Sequence, residues 1–260
     1  MKKSLLLLLF SFSIIFTACK DDSSTNSPAN TDITVTAVAP TSGNAGTVVV
    51  ITGTNFGTDK TALTVQFGSV SAVIDSVTNG TAIYTKVPDG IVTGDQQVKV
   101  IKSGITQAIA FNVLDNIVGT WLTDGANVAY GLRLAPFKVK KIVATFNANK
   151  SYTVVQTDSS NVTTTFTGTY TITESTNSDT LSTTGTKGAK IYSIVANQQT
   201  PSTVTANGIF AVSNSKMTYE VIQTSPALAG VSAPTALGGF GSTTIAGVKY
   251  AIYVQKYVKQ

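Results

Sequence analysis

The chemistry open to this chain is limited first by the residue types that it lacks. The 260 residues include no histidine, and Cys19 is the only cysteine. Without an imidazole there is no Ser-His-Asp or Cys-His triad and no histidine metal ligand. One thiol forms neither an intrachain disulfide nor a thiolate zinc site. Carboxylates, lysines, hydroxyls and a single arginine, Arg133, remain for chemistry.

Paired carboxylates are the acid–base route that remains, and their spacing does not support it. Those of the C-terminal half are Asp115, Asp124, Asp158, Glu174, Asp179 and Glu220. Only Glu220 lies mid-strand, where we predict a lone interior acid. A glycosidase needs two carboxyl groups about 5–10 Å apart, and a calcium site needs several closely spaced oxygen ligands. We therefore predict no catalytic residue, no metal site and no cofactor.

The N-terminus carries an export pattern. Lys2 and Lys3 precede an uncharged apolar run over residues 5–16, which is shorter than the roughly 20 residues of a membrane-spanning helix and is typical of a signal peptide. The following Phe16-Thr17-Ala18-Cys19 resembles the lipobox of bacterial lipoproteins. The resemblance implies that residues 1–18 are removed and that the membrane is reached through acylated Cys19. An ordinary secretory signal followed by a chance cysteine is the alternative.

The residues after Cys19 indicate where in the cell envelope the lipoprotein is located. Lys20, Asp21 and Asp22 resemble the signal that sends some lipoproteins to the outer face of the outer membrane; a solvated start of a linker also fits them. Residues 19–32 are rich in Ser, Thr and Asn, which predicts a flexible tether. We expect a lipid-anchored, surface-exposed outer-membrane protein. Loss of Lys2 and Lys3 with the signal peptide lowers the formal charge from +5 to +3, which gives no case for a nucleic-acid partner.

Residues 33–114 have the pattern of short strands separated by turns, which predicts a β-sandwich. The segments Val38-x-Pro40-x-x-Gly43-x-x-Gly46 and Gly53-x-Asn55-Phe56-Gly57 resemble the opening of the IPT/TIG family. Val65-x-Phe67-Gly68 and Val87-Pro88 stand where that family has later strands. The resemblance implies an immunoglobulin-like domain without catalysis, used as a stalk or, in some relatives, to bind partners. The scarcity of Tyr, Trp and Arg here favours the stalk.

Residues 115–260 again read as consecutive antiparallel strands. Residues 139–146 and 152–156 form a predicted hairpin, residues 162–172 alternate at period two, and residues 245–258 form a predicted long closing strand. This pattern is typical of an up-and-down barrel, with a sandwich as the alternative. The predicted fold is therefore all-β, an immunoglobulin-like sandwich followed by an antiparallel barrel.

Two short motifs refine the second domain. Gly119-Thr120-Trp121 and Gly168-Thr169-Tyr170 resemble entry and mid-barrel strands of lipocalin-like proteins. The lipocalin arginine that covers the tryptophan from the final strand is missing, and Lys256 is the nearest substitute. The resemblance implies that Trp121 closes one end of the barrel, although a ligand-stacking role is the alternative.

Aromatic side chains are the candidate ligand site. Gly168, between Phe166 and Tyr170, predicts space for a cavity. Phe240 lies in an uncharged Gly- and Pro-containing segment over residues 225–244, which predicts a lid over the barrel mouth, a plugging loop, or a short buried helix at residues 227–231. The candidate ligand-binding residues are Tyr152, Phe166, Tyr170, Phe210, Tyr219, Phe240 and Tyr250.

The leading functional hypothesis is a non-enzymatic envelope protein that presents a lipocalin-like domain for a small apolar or lipid-like ligand. The alternative is a surface glycan-binding lipoprotein of a polysaccharide-uptake system, with an exposed aromatic row drawn from Tyr130, Tyr192, Tyr253 and Tyr257. A purely structural protein is the third possibility. Other envelope proteins are further candidate partners.

Overall fold

The computed structural model describes residues 31–260. The predicted signal peptide, Cys19, the Lys20-Asp21-Asp22 segment and most of the tether lie outside the described residues. Residues 33–260 form one compact unit, so the predicted domain boundary at residues 114 and 115 stays a prediction. No helix within residues 31–260 has both the length and the hydropathy needed to cross a membrane.

The first half is a β-sandwich of two sheets. One sheet has the strand order β1-β3-β7-β6, and the other has the order β2-β9-β8-β4-β5, in which β2 pairs with β9 in parallel. A 3-10 helix, Lys60–Ala62, precedes β4. The strands are β1 Thr34–Ala39, β2 Ser42–Gly43, β3 Val48–Thr54, β4 Leu63–Phe67, β5 Val70–Ala72, β6 Ile74–Thr78, β7 Ala82–Lys86, β8 Gly94–Lys102 and β9 Ile105–Val113.

Inward residues of both sheets form the sandwich core. Val49, Ile51, Val65 and Val98 are buried and alternate with more exposed residues, as expected for sheets with one buried face. Phe56, in the loop after β3, is fully buried in this core. Gly53 lies beneath it: a Cβ there would stand 1.8 Å from the Thr34 carbonyl oxygen and 2.5 Å from Phe56 Cζ. The close approach explains the glycine of this motif.

The second half is a closed antiparallel barrel of eight strands, which confirms the predicted fold class and settles barrel over sandwich. The order around the barrel is β10-β11-β12-β13-β14-β15-β16-β20, so the last strand pairs with the first and no edge remains exposed. These strands are β10 Gly119–Asp124, β11 Val139–Phe146, β12 Ser151–Asp158, β13 Thr163–Ser178, β14 Lys190–Thr200, β15 Val204–Ser213, β16 Lys216–Ser225 and β20 Gln255–Lys259.

The connections β10–β11 and β16–β20 carry the remaining elements. A 3-10 helix and a short α1 follow β10, and a three-stranded sheet and a further 3-10 helix precede β20. Their bounds are Gly125–Asn127 (3-10), α1 Tyr130–Arg133, β17 Val231–Ser232, β18 Thr244–Ile245, β19 Val248–Lys249 and Ala251–Tyr253 (3-10).

The predicted closing strand over residues 245–258 is wrong over residues 245–254. Ala246 and Gly247 have φ of +50° and +81°, which turns the chain into the β18–β19 hairpin. The 3-10 helix Ala251–Tyr253 then separates this hairpin from β20. The alternating apolar pattern therefore runs through the two strands of the hairpin, the 3-10 helix and β20, and only residues 255–259 close the barrel.

Aromatic rings fill the centre of the barrel. The ring of Phe146 lies 5.3 Å from that of Tyr170, 6.1 Å from that of Tyr219 and 6.2 Å from that of Tyr152, measured between centroids. Tyr219 in turn meets Tyr257 edge to face at 6.2 Å. Edge-to-face packing of this kind stabilises a core beyond the area that it buries.

Gly168 does not leave the space that the sequence predicts. A Cβ on Gly168 would stand 2.1 Å from the carbonyl oxygen of Asn197 on β14. The register of β13 against β14 shifts at this point, between Thr167 and Gly168. The missing side chain therefore allows two backbones to approach each other and opens no cavity.

Candidate binding cleft

A cleft of about 1090 Å³ separates the sandwich from the nearest end of the barrel. The sandwich supplies the loop before β3 and the segment after β7. The barrel supplies the linker before β10, the β15–β16 turn and the loop that precedes β14. The side chains that carry charge, amide, hydroxyl or aromatic groups are Asn44, Thr47, Asp75, Lys86, Asp89, Thr93, Asn116, Trp121, Glu174, Lys187, Lys190, Tyr192, Ser213, Asn214, Ser215 and Lys259.

Two aromatic residues of the barrel lie at this cleft, the buried Trp121 and the half-buried Tyr192. Trp121, on β10, is fully buried, and its indole N–H donates to the carbonyl oxygen of Ile117 at 2.7 Å. Tyr192, on β14, stacks on Phe210 with centroids 5.1 Å apart and planes 17° apart. The Asn116 amide donates to the Tyr192 hydroxyl at 3.5 Å. The cleft thus combines apolar ring surface with hydrogen-bonding groups, as small-molecule sites do.

Asn44 joins the two halves of the molecule at the edge of the cleft. Its side-chain N–H groups donate to the carbonyl oxygens of Val118 at 3.0 Å and Asn116 at 3.4 Å. Its Oδ1 accepts from Thr47 Oγ1 at 3.1 Å and from Lys259 Nζ at 3.2 Å. Because Asn44 is buried, these bonds form where water does not compete for the same groups.

The domain formed by the first nine strands, in which Phe56 packs over Gly53, belongs to a known family. Residues 34–114 form an IPT/TIG domain, since they match the model of that family. The resemblance read from the sequence is therefore confirmed over these residues. Among curated proteins no relative matches the chain.

Several solved structures are similar to the chain at low identity. One is a Bacteroides thetaiotaomicron protein of unknown function, with 15% identity, 74% of this chain and 56% of that chain covered, and a TM-score of 0.32. Another is an auxiliary nutrient binding protein of the same organism, with 14% identity, 75% and 59% covered, and a TM-score of 0.30.

A third similar structure is SGBP-B of the mixed-linkage glucan utilization locus of Bacteroides ovatus, in complex with a mixed-linkage heptasaccharide. The identity is 14%, 56% of this chain and 47% of that chain are covered, and the TM-score is 0.25. The chain spans little more than half the length of the first of these three structures.

Most of the charged side chains that line the cleft form ion pairs with each other. Lys190 donates to Glu174, and this hydrogen bond is the largest contribution that raises the pKa of Lys190. Lys86 Nζ lies 4.0 Å from an Asp75 carboxylate oxygen, within the IPT/TIG domain. Burial, with a smaller contribution from the charge of Glu174, raises the pKa of the Tyr192 hydroxyl. Tyr192 therefore faces the cleft as a neutral hydrogen-bonding group.

Lys259 differs from the other lysines of the cleft. Its Nζ lies 5.6 Å from the centroid of the Trp121 ring, a cation–π geometry. Its Cε occupies the space beside Gly119, where a Cβ would stand 2.9 Å away. Burial lowers its pKa. Lys259, and not the predicted Lys256, is therefore the cation that covers Trp121, because Trp121 pairs with Lys259 across β10 and β20.

Four of the predicted ligand-binding residues come together in the barrel core. Tyr152, Tyr170, Phe210 and Tyr219 all belong to one buried cluster. Phe166 lies half-buried on the same face of β13 as Tyr170. Only Phe210 approaches the cleft, through its stack with Tyr192. A ligand role for these five residues stays a prediction.

Phe240 lies elsewhere, on the outside of the barrel. It packs against Ile191, Ile209 and Ala211, whose side chains point outward from β14 and β15. The segment between β16 and β18 therefore covers the outer wall and is not a lid over a mouth. Tyr250 is 40% exposed and precedes the last 3-10 helix. Neither residue belongs to the buried cluster of the barrel core that holds Tyr152, Tyr170 and Tyr219.

Glu220 is buried but does not face the barrel interior. Its neighbours Tyr219 and Val221 point inward, so Glu220 points to the outer wall beneath the covering segment. Its carboxylate accepts from the N–H of Gly241 at 2.6 Å and from the N–H and hydroxyl of Thr243 at 3.2 and 2.5 Å. The predicted interior acid is thus a buried anchor for a surface loop.

The tyrosines of the predicted aromatic row are dispersed. Tyr130 is 52% exposed on α1, Tyr253 is half-buried beside it, and Tyr257 is buried in the barrel core. Tyr192 alone lines the cleft. Sequence reasoning missed Asn44 and Lys259, although the alternation from inward Tyr257 would have placed Lys259 on the inward face.

Proposed function

We propose that this chain is a non-enzymatic, lipid-anchored envelope protein that binds an oligosaccharide in the cleft between the IPT/TIG domain and the barrel. One observation carries the proposal: the cleft of about 1090 Å³ is lined by charged, amide and hydroxyl side chains around the half-buried ring of Tyr192, with the fully buried Trp121 beneath it. A sugar ring has polar edges and an apolar face, and such a lining offers partners for both.

The polarity of the cleft favours a sugar over the small apolar ligand of the leading hypothesis. An apolar ligand gains little where amides and ion pairs such as Lys190–Glu174 must be desolvated without new partners. The barrel interior, the other place for such a ligand, is occupied by the rings of Phe146, Tyr170 and Tyr219. The oligosaccharide is therefore the ligand class that the geometry supports best.

The absence of catalysis is part of the proposal. Asp75 and Glu174 are each engaged by a lysine in the cleft, so neither is left as one of the two free carboxyl groups that a glycosidase needs. The sequence contains no histidine to act as a general acid instead.

The location follows from the N-terminal sequence. Acylated Cys19, followed by Lys20, Asp21 and Asp22, would hold the chain at the outer face of the outer membrane. More than one acyl chain is needed for a stable anchor. The tether and the IPT/TIG domain would then hold the cleft away from the membrane surface.

The sole tryptophan provides the test, because Trp121 lies at the cleft. The acylated full-length protein in detergent is titrated with neutral and acidic soluble oligosaccharides while tryptophan fluorescence and heat are recorded. We expect saturable one-to-one binding that perturbs Trp121 fluorescence.

Two tyrosine variants locate the site. Tyr192→Ala should weaken binding at least tenfold, while Tyr130→Ala, exposed on α1 and outside the cleft, should leave it unchanged. Loss of binding in Tyr130→Ala with retention in Tyr192→Ala would move the site to the outer surface. No binding to any oligosaccharide would overturn the proposal.

A further inference from the structure

Lys259 has no carboxylate partner in the cleft that it lines. The ion pairs among residues 31–260 are Lys86 with Asp75, Lys150 with Asp115 and Lys190 with Glu174, and none involves Lys259. Its hydrogen bond goes to a neutral amide oxygen, Asn44 Oδ1, at 3.2 Å. A half-buried ammonium group is therefore stabilised only by a neutral acceptor and a ring face.

Burying the Lys259 ammonium group in this way costs free energy unless an anion compensates its charge. Removing an ammonium group from water without a counter-ion is unfavourable, since a neutral hydrogen bond replaces only part of the lost hydration. Lowering of the Lys259 pKa by burial reflects the same cost. An anion that enters the cleft would form a charge-assisted hydrogen bond with this group, and such bonds are about twice as strong as neutral ones.

The lysine is also held in place before any ligand arrives. Asn44 accepts from its Nζ, Trp121 lies under it at 5.6 Å, and its methylene chain passes over Gly119. An ammonium ordered in this way loses little side-chain entropy on binding, which favours affinity.

The other charges that face the cleft do not cancel this cation. Four lysines and three carboxylates line it. Asp75 and Glu174 are engaged by Lys86 and Lys190, while Asp89 and Lys187 lie exposed at its rim. The balance that a ligand meets at the barrel end is positive.

We infer that the oligosaccharide bound in the cleft is acidic and that Lys259 recognises its carboxylate, as in a chain of uronic acid residues. The inference rests on the proposed function, whose cleft it shares. Tyr192, on β14, lines the same cleft and offers its ring to the sugar, and Asn44 holds the ammonium group toward the ligand.

The first test uses the unmodified protein and three probes: oligogalacturonate, its methyl ester and a neutral glucan oligosaccharide of the same length. We expect the acid to bind at least tenfold more tightly than the ester, with an advantage that shrinks as salt is raised. Equal or tighter binding of the neutral probes would overturn the acidic specificity and leave the proposed function standing. Binding of none of the three would overturn both.

The second test locates the effect. Lys259→Gln should weaken binding of oligogalacturonate at least tenfold with little change for the methyl ester, and Lys259→Arg should keep most of the acid affinity. Lys256→Gln, on the same strand and pointing outward, is the matched control, and thermal melting confirms that each variant is folded. If Lys256→Gln weakens binding of oligogalacturonate as much as Lys259→Gln does, the loss comes from the lower net charge of the protein, and the proposed contact of Lys259 is overturned.

Discussion

Asn44 and Lys259 are 215 positions apart in the chain, and their side chains hydrogen bond at 3.2 Å across the junction of the two folded halves. The amide of Asn44 also holds the backbone at Asn116 and Val118, where the chain leaves the IPT/TIG domain. The side chain of Asn44 thus binds the linker before β10 and the last strand of the barrel to the loop before β3. The cleft takes its shape from this junction.

The junction predicts a large effect of Asn44→Ala. The substitution removes four hydrogen bonds and leaves two carbonyl oxygens without their partner. We expect a loss of about 2–3 kcal/mol in the free energy of unfolding and weaker ligand binding, measured by urea denaturation and calorimetry. Asn112→Ala, at an exposed position of β9, is the control. Equal stability of the two variants would contradict this role of Asn44.

Glu220 predicts a pH dependence of stability. Burial is the largest cause that raises its pKa above the ordinary value, against opposing hydrogen bonds from Thr243 and Gly241. With the folded pKa above the unfolded one, the native state binds more protons within that window, so its stability falls as pH rises from about 4.5. Above the raised pKa this contribution becomes constant.

Glu220→Gln isolates this contribution, because a glutamine does not titrate. The melting temperatures of the unmodified protein and of the variant are measured from pH 4.5 to 8. We expect the unmodified protein to lose stability relative to the variant as pH rises. If the difference in melting temperature between the two proteins does not change with pH, or if the unmodified protein gains stability relative to the variant as pH rises, burial does not dominate the pKa of Glu220.

The covering segment on the outer wall depends on Phe240. Phe240 is 6% exposed and packs on Ile209 and Ala211, so Phe240→Ala should cost about 3–5 kcal/mol. Leu237, three residues earlier, is 86% exposed, and Leu237→Ala should change stability by less than about 0.5 kcal/mol. Chemical denaturation of both variants tests the contrast, and similar small losses would mean that the segment is not anchored through Phe240.

Gly168 predicts intolerance of even one methyl group. A Cβ there meets the Asn197 carbonyl oxygen at 2.1 Å, so Gly168→Ala must displace β13 from β14, at a cost of about 1–3 kcal/mol. At Gly131 the nearest atom to a new Cβ is 3.4 Å away, and alanine favours the helical conformation there. Gly131→Ala should therefore be neutral or stabilising. Thermal melting of the two variants tests this contrast. An unchanged melting temperature for Gly168→Ala would show that β13 and β14 can move apart at little cost in stability.

Local patterns were sufficient for much of the fold and for little of the site. Alternation at period two identified β11, β12 and β13, because a strand with one buried face imposes that period wherever it occurs. The same alternation misassigned residues 245–254, since the turn at Ala246 and Gly247 interrupts the strand without changing the apolar pattern. For the segment of Phe240 the sequence leaves a lid and a plugging loop open, because it does not tell an inner wall of the barrel from an outer one.

The sequence by itself determined the element types, the all-β class, the IPT/TIG motif series and the exclusion of histidine and disulfide chemistry, since these depend on composition and on neighbours along the chain. Only the tertiary structure decided that Asn44 meets Lys259, that Glu220 faces outward and that a polar cleft opens beside Trp121. Closure of the barrel brings the last strand against the first, and contacts made by such closure leave no local signal in the sequence.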